Sequence, residues 1–441
     1  MKKTPLSLAA ALVVTLMLPG LPALAQQAPT PTEAELAQKL DKLAAELAAV
    51  KAQLQQLQQQ RGTAAAPAAP APATAAAPAT APVAVAAPAA PAEPATVLGG
   101  YGELNYNRPT HATENAQADV RRFVLALQHR FDGKTKMVAE LEVEHAIASA
   151  DDSGEVEVEQ AYIEHQINPT WAVRGGLFLM PLGLLNENHE PTAYYGVERN
   201  FVETAIIPST WREGGLQVVG SFDNGITLQG GLSTSFDLTK WDASSTEGSE
   251  SPLASVHQEL QQAKAHDIAA FGALNWRGIP GLQLGGGLFT GNATQSQPGF
   301  DTARITLWDL HARWTPGRAD LSALYTRGSI SNTAALNTPL VGGTTLIPKS
   351  FDGWYVQGAY KVWTQDDYAL SPFVRWEQFN TAKSFEDLGQ GLTPSAAPTE
   401  RVVTVGANFQ LAQGVVVKAD VQRFRENTLA NRVNLGLGWS F

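Results

Sequence analysis

The chain ends on Asn434-Leu-Gly-Leu-Gly-Trp-Ser-Phe441, and the stretch alternates up to its last residue. Val433, Leu435, Leu437, Trp439 and Phe441 fall on one face of a period-2 strand; Asn434, Gly436, Gly438 and Ser440 fall on the other. Such a strand suits a sheet with hydrocarbon on one side and water on the other. A soluble protein that happens to end in Phe would show the same eight residues, so the pattern must recur upstream.

It recurs from residue 97 onward. Phe123, Leu125, Leu127 and Phe131 oppose Arg122, Gln128 and Arg130, and in the next strand Met137, Ala139, Leu141 and Val143 oppose Lys136, Glu140, Glu142 and Glu144. Near the end, Val403, Val405, Ala407 and Phe409 oppose Thr404, Gly406 and Asn408, and Val415, Val417, Ala419 and Val421 oppose Lys418, Asp420 and Gln422. Charges on one face of so many strands would be costly in a dry sandwich core. They are natural in a wet lumen. Short turns fall at Asp132-Gly133-Lys134, Asn168-Pro169, Asp223 to Gly225, Gly278 to Gly281, Thr315 to Arg318, Trp363 to Tyr368 and Ala412 to Gly414, each with Gly, Pro, Asn or Asp. Longer connections fall near 108–119, 146–154, 179–212, 237–266, 290–302, 328–350, 381–398 and 426–431. Eight long loops and seven short turns join 16 strands, the even count of a bacterial barrel. Trp171, Trp276, Trp314, Trp363 and Trp439 flank short turns or the chain end, where an aromatic girdle belongs.

The residues before the barrel divide in three. Residues 1–25 read as a secretory signal, with Lys2 and Lys3, an apolar run from Leu6 to Leu18, and Ala23-Leu24-Ala25 before Gln26. Residues 26–61 contain a heptad seam, Leu36, Leu40, Leu43, Leu47, Val50, Leu54 and Leu57, opened by a Thr32/Glu35 capping box. It predicts a parallel coiled coil between copies of the chain, with the strand number left open. Residues 62–96 are almost entirely Ala and Pro, an extended linker. Because the first strand must start at the short-turn end, residues 26–96 are expected in the periplasm. The absence of cysteine leaves no disulfide or thiolate-metal support, and the formal charge of −11 disfavours a nucleic-acid partner.

The terminal pattern, with Asn434, Gly436, Trp439 and the closing Phe441, resembles the signal by which outer-membrane barrels are handed to their insertion machinery. The longest connection, Leu179 to Arg212, is the third long loop, and trimeric 16-stranded porins fold their third loop inward as a constriction. Its sequence LNENHEPTAYYGVERNFVETAIIPSTWREGG (Leu185–Gly215), with GYGELNY (Gly100–Tyr106) opening the barrel, is similar to the phosphate-selective porin O/P-like family. The resemblance implies a homotrimer in outer-membrane lipid, passing small hydrophilic solutes and anions such as phosphate.

Charge tests the anion expectation. The barrel region holds 25 Lys and Arg against 37 Asp and Glu, a balance of −12. In the third loop Glu187, Glu190, Glu198, Glu203 and the bordering Glu213 outnumber Arg199 and Arg212, with His189 among them. Stripping water from a phosphate dianion needs several converging cations, and no such arginine ladder stands in this chain. Candidate wall residues are Arg122, Arg130, Lys136, Glu140, Glu142, Arg174, Arg313, Lys361, Arg375 and Lys418. One expectation is a field across the pore between an acidic loop and a basic wall; the plainer one is that these charges solvate the lumen and tie the loop down.

Enzyme chemistry has little purchase. There is no nucleophile elbow, zinc-protease helix or phosphate loop, so no catalytic residue or cofactor is assigned. His145 beside Glu144, and His189 beside Glu187 and Glu190, are imaginable base or metal groupings, but a His among acids is more often a solvated surface residue. The expected fold is a 16-stranded antiparallel transmembrane β-barrel over 97–441, preceded by a periplasmic coiled-coil helix and linker. The expected function is a porin; the alternative is a structural envelope protein that tethers the outer membrane to the cell wall.

Overall fold

The sheet is closed by the last residue of the chain. Gly100 N donates to the Phe441 carbonyl at 3.1 Å, and Phe441 N donates to the Gly100 carbonyl at 2.9 Å. These bonds come from a computed structural model that describes residues 95–441. The expected signal sequence, the expected coiled coil and nearly all of the expected Ala/Pro linker lie outside the described residues.

Strands run in order as β1 (Thr96–Pro109), β2 (Gln117–Arg130), β3 (Thr135–Glu144), β4 (Val156–Gln166), β5 (Trp171–Leu179), β6 (Arg212–Ser221), β7 (Ile226–Thr234), β8 (Ile268–Ile279) and β9 (Leu282–Asn292). They continue as β10 (Arg304–Trp314), β11 (Ala319–Ile330), β12 (Ser350–Tyr360), β13 (Trp363–Gln365), β14 (Tyr368–Ser384), β15 (Glu400–Ala412), β16 (Val415–Phe424) and β17 (Arg432–Ser440). Each is antiparallel to its neighbours, and β1 pairs with both β2 and β17. The 17 segments make 16 barrel strands, because β12 and β13 are two parts of one strand that both pair with β14.

That break corrects one expected turn. Trp363 to Gln365 pairs with Tyr368 to Leu370, so the turn tightens to Asp366-Asp367, with Asp366 at φ 51°. A short polar side chain tolerates that left-handed conformation. The other short turns form as their chemistry dictates. The Asp132 carboxylate accepts from the backbone N–H groups of Lys134 and Thr135 at 2.7 Å each, which holds its pKa below the ordinary range. Gly414 has φ 80°, and a Cβ there would lie 2.3 Å from the Ser440 carbonyl oxygen. The Trp residues at this end include Trp276, whose Nε1 donates to the Asn224 carbonyl at 3.2 Å, and the exposed Trp314 and Trp363.

Burial is inverted relative to a soluble protein. Leu125, Leu141, Leu216, Leu232, Leu310 and Leu435 are exposed on the outer face, while Glu103, Arg122, Glu142, Gln217, Lys418 and Asn434 are covered inside. An exposed apolar belt of this extent suits a hydrocarbon surround. Alternation breaks within β4. A register shift between Glu140 and Leu141 leaves Glu159 as an extra residue in β4, so Glu157, Glu159, Gln160, Tyr162 and Glu164 crowd the inner side.

The interior is not uniformly wet. Phe178, Met180, Leu182, Ile206, Ile207, Trp211, Phe236, Leu253, Phe289 and Phe351 form a buried apolar core beneath the long connections 180–211 and 235–267. It packs against β8 to β12 on one side of the lumen. The polar path runs along the other side, lined by β1 to β4 and β14 to β17 and, at the short-turn end, by Arg313 of β10 and Lys361 just after β12.

Candidate functional site

The third long connection, residues 180–211, is the element that enters the lumen. Its base is pinned by Asn186, whose Nδ2 donates to the carbonyls of Met180 and Trp211 at 2.8 Å and whose Oδ1 accepts from Trp211 N at 2.7 Å. Glu203 then gathers the loop: it accepts from Leu184 N at 2.6 Å, Leu185 N at 2.8 Å, Asn200 Nδ2 at 2.8 Å and the Tyr355 hydroxyl at 2.9 Å. Burial of Leu182, Val202, Ile206, Ile207 and Trp211 supplies the inward pull, at about 1.5–3 kcal/mol for each large side chain.

From that base the chain crosses to the opposite wall. Phe201 N donates to Glu377 at 2.6 Å and Val197 N to Asp420 at 2.7 Å. Arg375 and Asn408 donate to the carbonyls of Tyr195 and Tyr194 at 3.1 and 3.2 Å. Glu198 accepts from Asn107 at 2.8 Å, and the Tyr194 hydroxyl donates to Glu103 at 2.9 Å. The last strand makes room for the crossing: a Cβ on Gly436 would lie 3.1 Å from Val197 Cγ1, and one on Gly438 would lie 2.6 Å from Pro191 Cβ. Gly436 therefore seats the loop, which its place in a terminal signal does not reveal.

The crossing leaves two cavities that share Tyr194 as a wall. The one on the long-loop side, of about 690 Å³, is lined by seven glutamates (103, 142, 144, 155, 157, 198 and 259) and five arginines (121, 122, 199, 212 and 432). The one on the short-turn side, of about 750 Å³, is lined by Arg313, Lys361, Ser371, Asn408 and Gln410 among others, with no Asp or Glu side chain. Charge is thus uneven along the pore axis, where the sequence suggested a field across it between loop and wall.

The candidate residues sort accordingly. Arg122, Glu142, Glu198, Arg199 and Arg212 meet around the first cavity, with Arg122 bonded to Glu103 at 3.0 Å and Glu142 at 3.2 Å. Arg313 and Lys361 border the second, although Arg313 is held by Asp320 in a forked pair at 3.0 and 2.7 Å. Lys136 and Arg174 both grip Glu164, at 3.0 and 2.7 Å. Arg130 is exposed at the short-turn end of β2, and Glu187 is exposed with a bond from Gln229 at 2.8 Å. Glu190 is half-buried and Glu140 accepts from Gln160 at 2.7 Å. Four candidates sit away from open lumen: Glu203 and Glu213 in the apolar core, and Arg375 and Lys418 beneath the loop. Asn434 donates to Asp420 at 2.7 Å, and Trp439 packs over Gly102.

Tyr194 was not singled out by charge, yet it stands between the cavities with the Lys418 ammonium 3.6 Å from its ring centroid. The only signal for it was the Tyr-Tyr-Gly sequence ahead of Gly196, which has φ 91°. His189 is likewise buried, with Nε2 2.7 Å from the Tyr101 hydroxyl. Its structural neighbours are Glu140 and Glu159, the one group of potential metal ligands found among the described residues.

No family model matches the chain. An uncharacterised protein of Aquifex aeolicus is 27% identical over 344 residues, which cover 74% of this chain and 75% of that one. Among solved structures, Salmonella typhi OmpF in complex with daunomycin has a TM-score of 0.56 at 13% identity, covering 78% of this chain and 97% of its own. The Acinetobacter baumannii outer-membrane channel DcaP has a TM-score of 0.50 at 15% identity, covering 78% and 97%. A loop-deletion mutant of Vibrio cholerae OmpT, an outer-membrane protein, has a TM-score of 0.50 at 11% identity, covering 78% and 99%. At such identities the likeness is one of fold: a closed antiparallel barrel.

Proposed function

We propose that the chain is an outer-membrane porin, a passive path for ions and small hydrophilic solutes that narrows where Tyr194 crosses the lumen. The observation that carries this reading is the pair of polar-lined cavities meeting at Tyr194 inside a barrel whose outer face is apolar. Phosphate selectivity gains little support. A dianion filter wants several unpaired cations at one level, and on the short-turn side Arg313 is already committed to Asp320, leaving Lys361 as the exposed cation bordering the cavity. Lys361 favours anions at the short-turn end, and the surplus of glutamates over arginines in the long-loop cavity opposes it, so the selectivity supported is weak.

Both ends of the barrel lie at the short-turn end, which in bacterial barrels faces the periplasm. On this reading residues 26–96 emerge there, the heptad seam bundles copies into a homotrimer, and the final strand serves the insertion machinery. Tethering to the cell wall would use the same emerging segment as a second role.

Planar-bilayer recordings of the purified full-length chain test the proposal. In salt gradients of chloride, phosphate and bulky cations the wild type is expected to conduct with weak selectivity. Lys361→Glu should shift the anion-to-cation permeability ratio toward cations on the order of fivefold: a unit charge about 7 Å from a passing ion in water contributes about 0.6 kcal/mol, about 0.25 kcal/mol after salt screening, and a change of two charge units acts with opposite sign on anion and cation. A folded protein that carries no current contradicts the reading.

A further inference from the structure

We propose that Glu140, Glu159 and His189 form a binding site for a divalent transition-metal ion, for which Zn²⁺ is the fitting probe, and that the ion fastens the inward loop to the barrel wall. The three residues come from three separate elements: Glu140 from β3, Glu159 from the bulge of β4, and His189 from the crossing loop. Their ligand atoms all lie within 4.8 Å of one another, and His189 Nε2 is 3.8 Å from Glu159 Oε1. Zinc bonds of about 2.0–2.2 Å in a tetrahedron place ligand atoms about 3.4 Å apart. Side-chain adjustments are enough to reach that spacing.

A second observation points to an ion independently of the cluster. Glu159 is 0% exposed and its Oε1 has no hydrogen-bond partner, while Oε2 is held by the Tyr101 hydroxyl at 3.0 Å. That oxygen faces the carboxyl groups of Glu140 and Glu142 and the His189 ring, none of which can donate to it without first taking up a proton, and a buried carboxylate so placed is costly unless a cation fills the gap. Nor does a basic side chain supply one. Arg122 serves Glu103, Glu142 and Glu144, and among the described residues neither Glu140 nor Glu159 is in ion-pair contact with Lys or Arg.

The histidine is prepared for the same role. Its Nδ1 lies 2.9 Å from the Asn186 carbonyl, an acceptor only, so Nδ1 carries a hydrogen and Nε2 is the end turned to the carboxylates. Asn186 is the residue that pins the loop base, so a ligand to His189 is mechanically coupled to the loop. Nitrogen among the donors favours zinc-like ions over Ca²⁺ and Mg²⁺, which take oxygen. The competing occupant is a proton, carried on Nε2 and donated to Tyr101, whose own hydroxyl then donates to Glu159, or shared between the Glu142 and Glu159 carboxyl groups. Binding itself does not depend on the channel reading.

The test uses the untagged full-length chain, stripped with chelator and dialysed in detergent. Zn²⁺ bound at equilibrium is measured by elemental analysis and competition titration, and Co²⁺ substitution by its visible absorption. The expected result is one Zn²⁺ per chain, a tetrahedral-type Co²⁺ band, and higher thermal stability with Zn²⁺. His189→Gln and Glu159→Gln should each weaken binding at least about tenfold, whereas Glu114→Gln, at an exposed position in the connection between β1 and β2, should leave it unchanged. Heat-modifiable gel mobility confirms that each variant is folded, and the wild-type Co²⁺ spectrum decides the matter if one is not. Failure of the stripped wild type to bind Zn²⁺, or equal binding by both variants, overturns the site and leaves the proton as its occupant.

Discussion

Tyr194→Ala is expected to raise single-channel conductance several-fold. The ring divides the two cavities, its hydroxyl is fixed by Glu103 at 2.9 Å, and its face is covered by the Lys418 ammonium at 3.6 Å. Truncation would merge volumes of about 690 and 750 Å³ across the wall they share and uncover Lys418, which is 2% exposed in the wild type. The added ammonium in the open path should also favour anions. Tyr194→Phe keeps the ring and loses only the bond to Glu103, so its conductance should stay near wild type. Single-channel recordings at matched salt separate the two, and equal conductance in all three proteins would remove Tyr194 from the path.

Arg375→Met should destabilise the barrel by about 3–5 kcal/mol, because it leaves Glu377 buried without its counter-charge. Arg375 is 2% and Glu377 0% exposed, joined at 2.9 Å. Both reach the loop, Arg375 through the Tyr195 carbonyl and Glu377 through Phe201 N, so the loss should also loosen the crossing. Replacing both partners by Met removes the stranded charge together with its partner, and most of the loss should return. Denaturant unfolding in detergent, followed by Trp fluorescence, measures both variants. A single variant as stable as wild type would show the pair to be dispensable.

The frame of the barrel was written locally. Asp132, Asn168 and Gly414 mark turns through their own short-range chemistry, and the alternation at Val403 to Phe409 declares its two faces without distant partners. Every long connection expected from the sequence occurs within a few residues of its place. What escaped depends on contacts far apart in the chain. Nothing near Glu159 announces the bulge that adds a carboxylate to the inner wall. Glu203 reads as one more acid of a constriction, and only Leu184, Leu185, Asn200 and Tyr355 closing on it make it an anchor. Gly436 and Gly438 read as strand residues until Val197 and Pro191 rest on them. The charge count along the chain was right in sum, but it could not separate acids on the long-loop side from the short-turn cavity, where no acidic side chain faces the path.

The placement of the loop also bears on how solute passes. Fastened to β1, β12, β14, β15 and β16, it leaves a path beside itself and does not have to swing aside. The chain contains no cysteine, so a single introduced pair can test this directly. Val197 Cγ1 lies 3.1 Å from the position of a Cβ on Gly436, and the Cβ–Sγ separation across a disulfide is about 3 Å. The decisive measurement is the single-channel current of Val197→Cys/Gly436→Cys before and after reduction. The expected result is that the bond forms in the folded barrel and the oxidised channel conducts as the reduced one does. A pair that will not join in a folded barrel, or a locked protein that is silent until reduced, would contradict a fixed constriction beside an open pore.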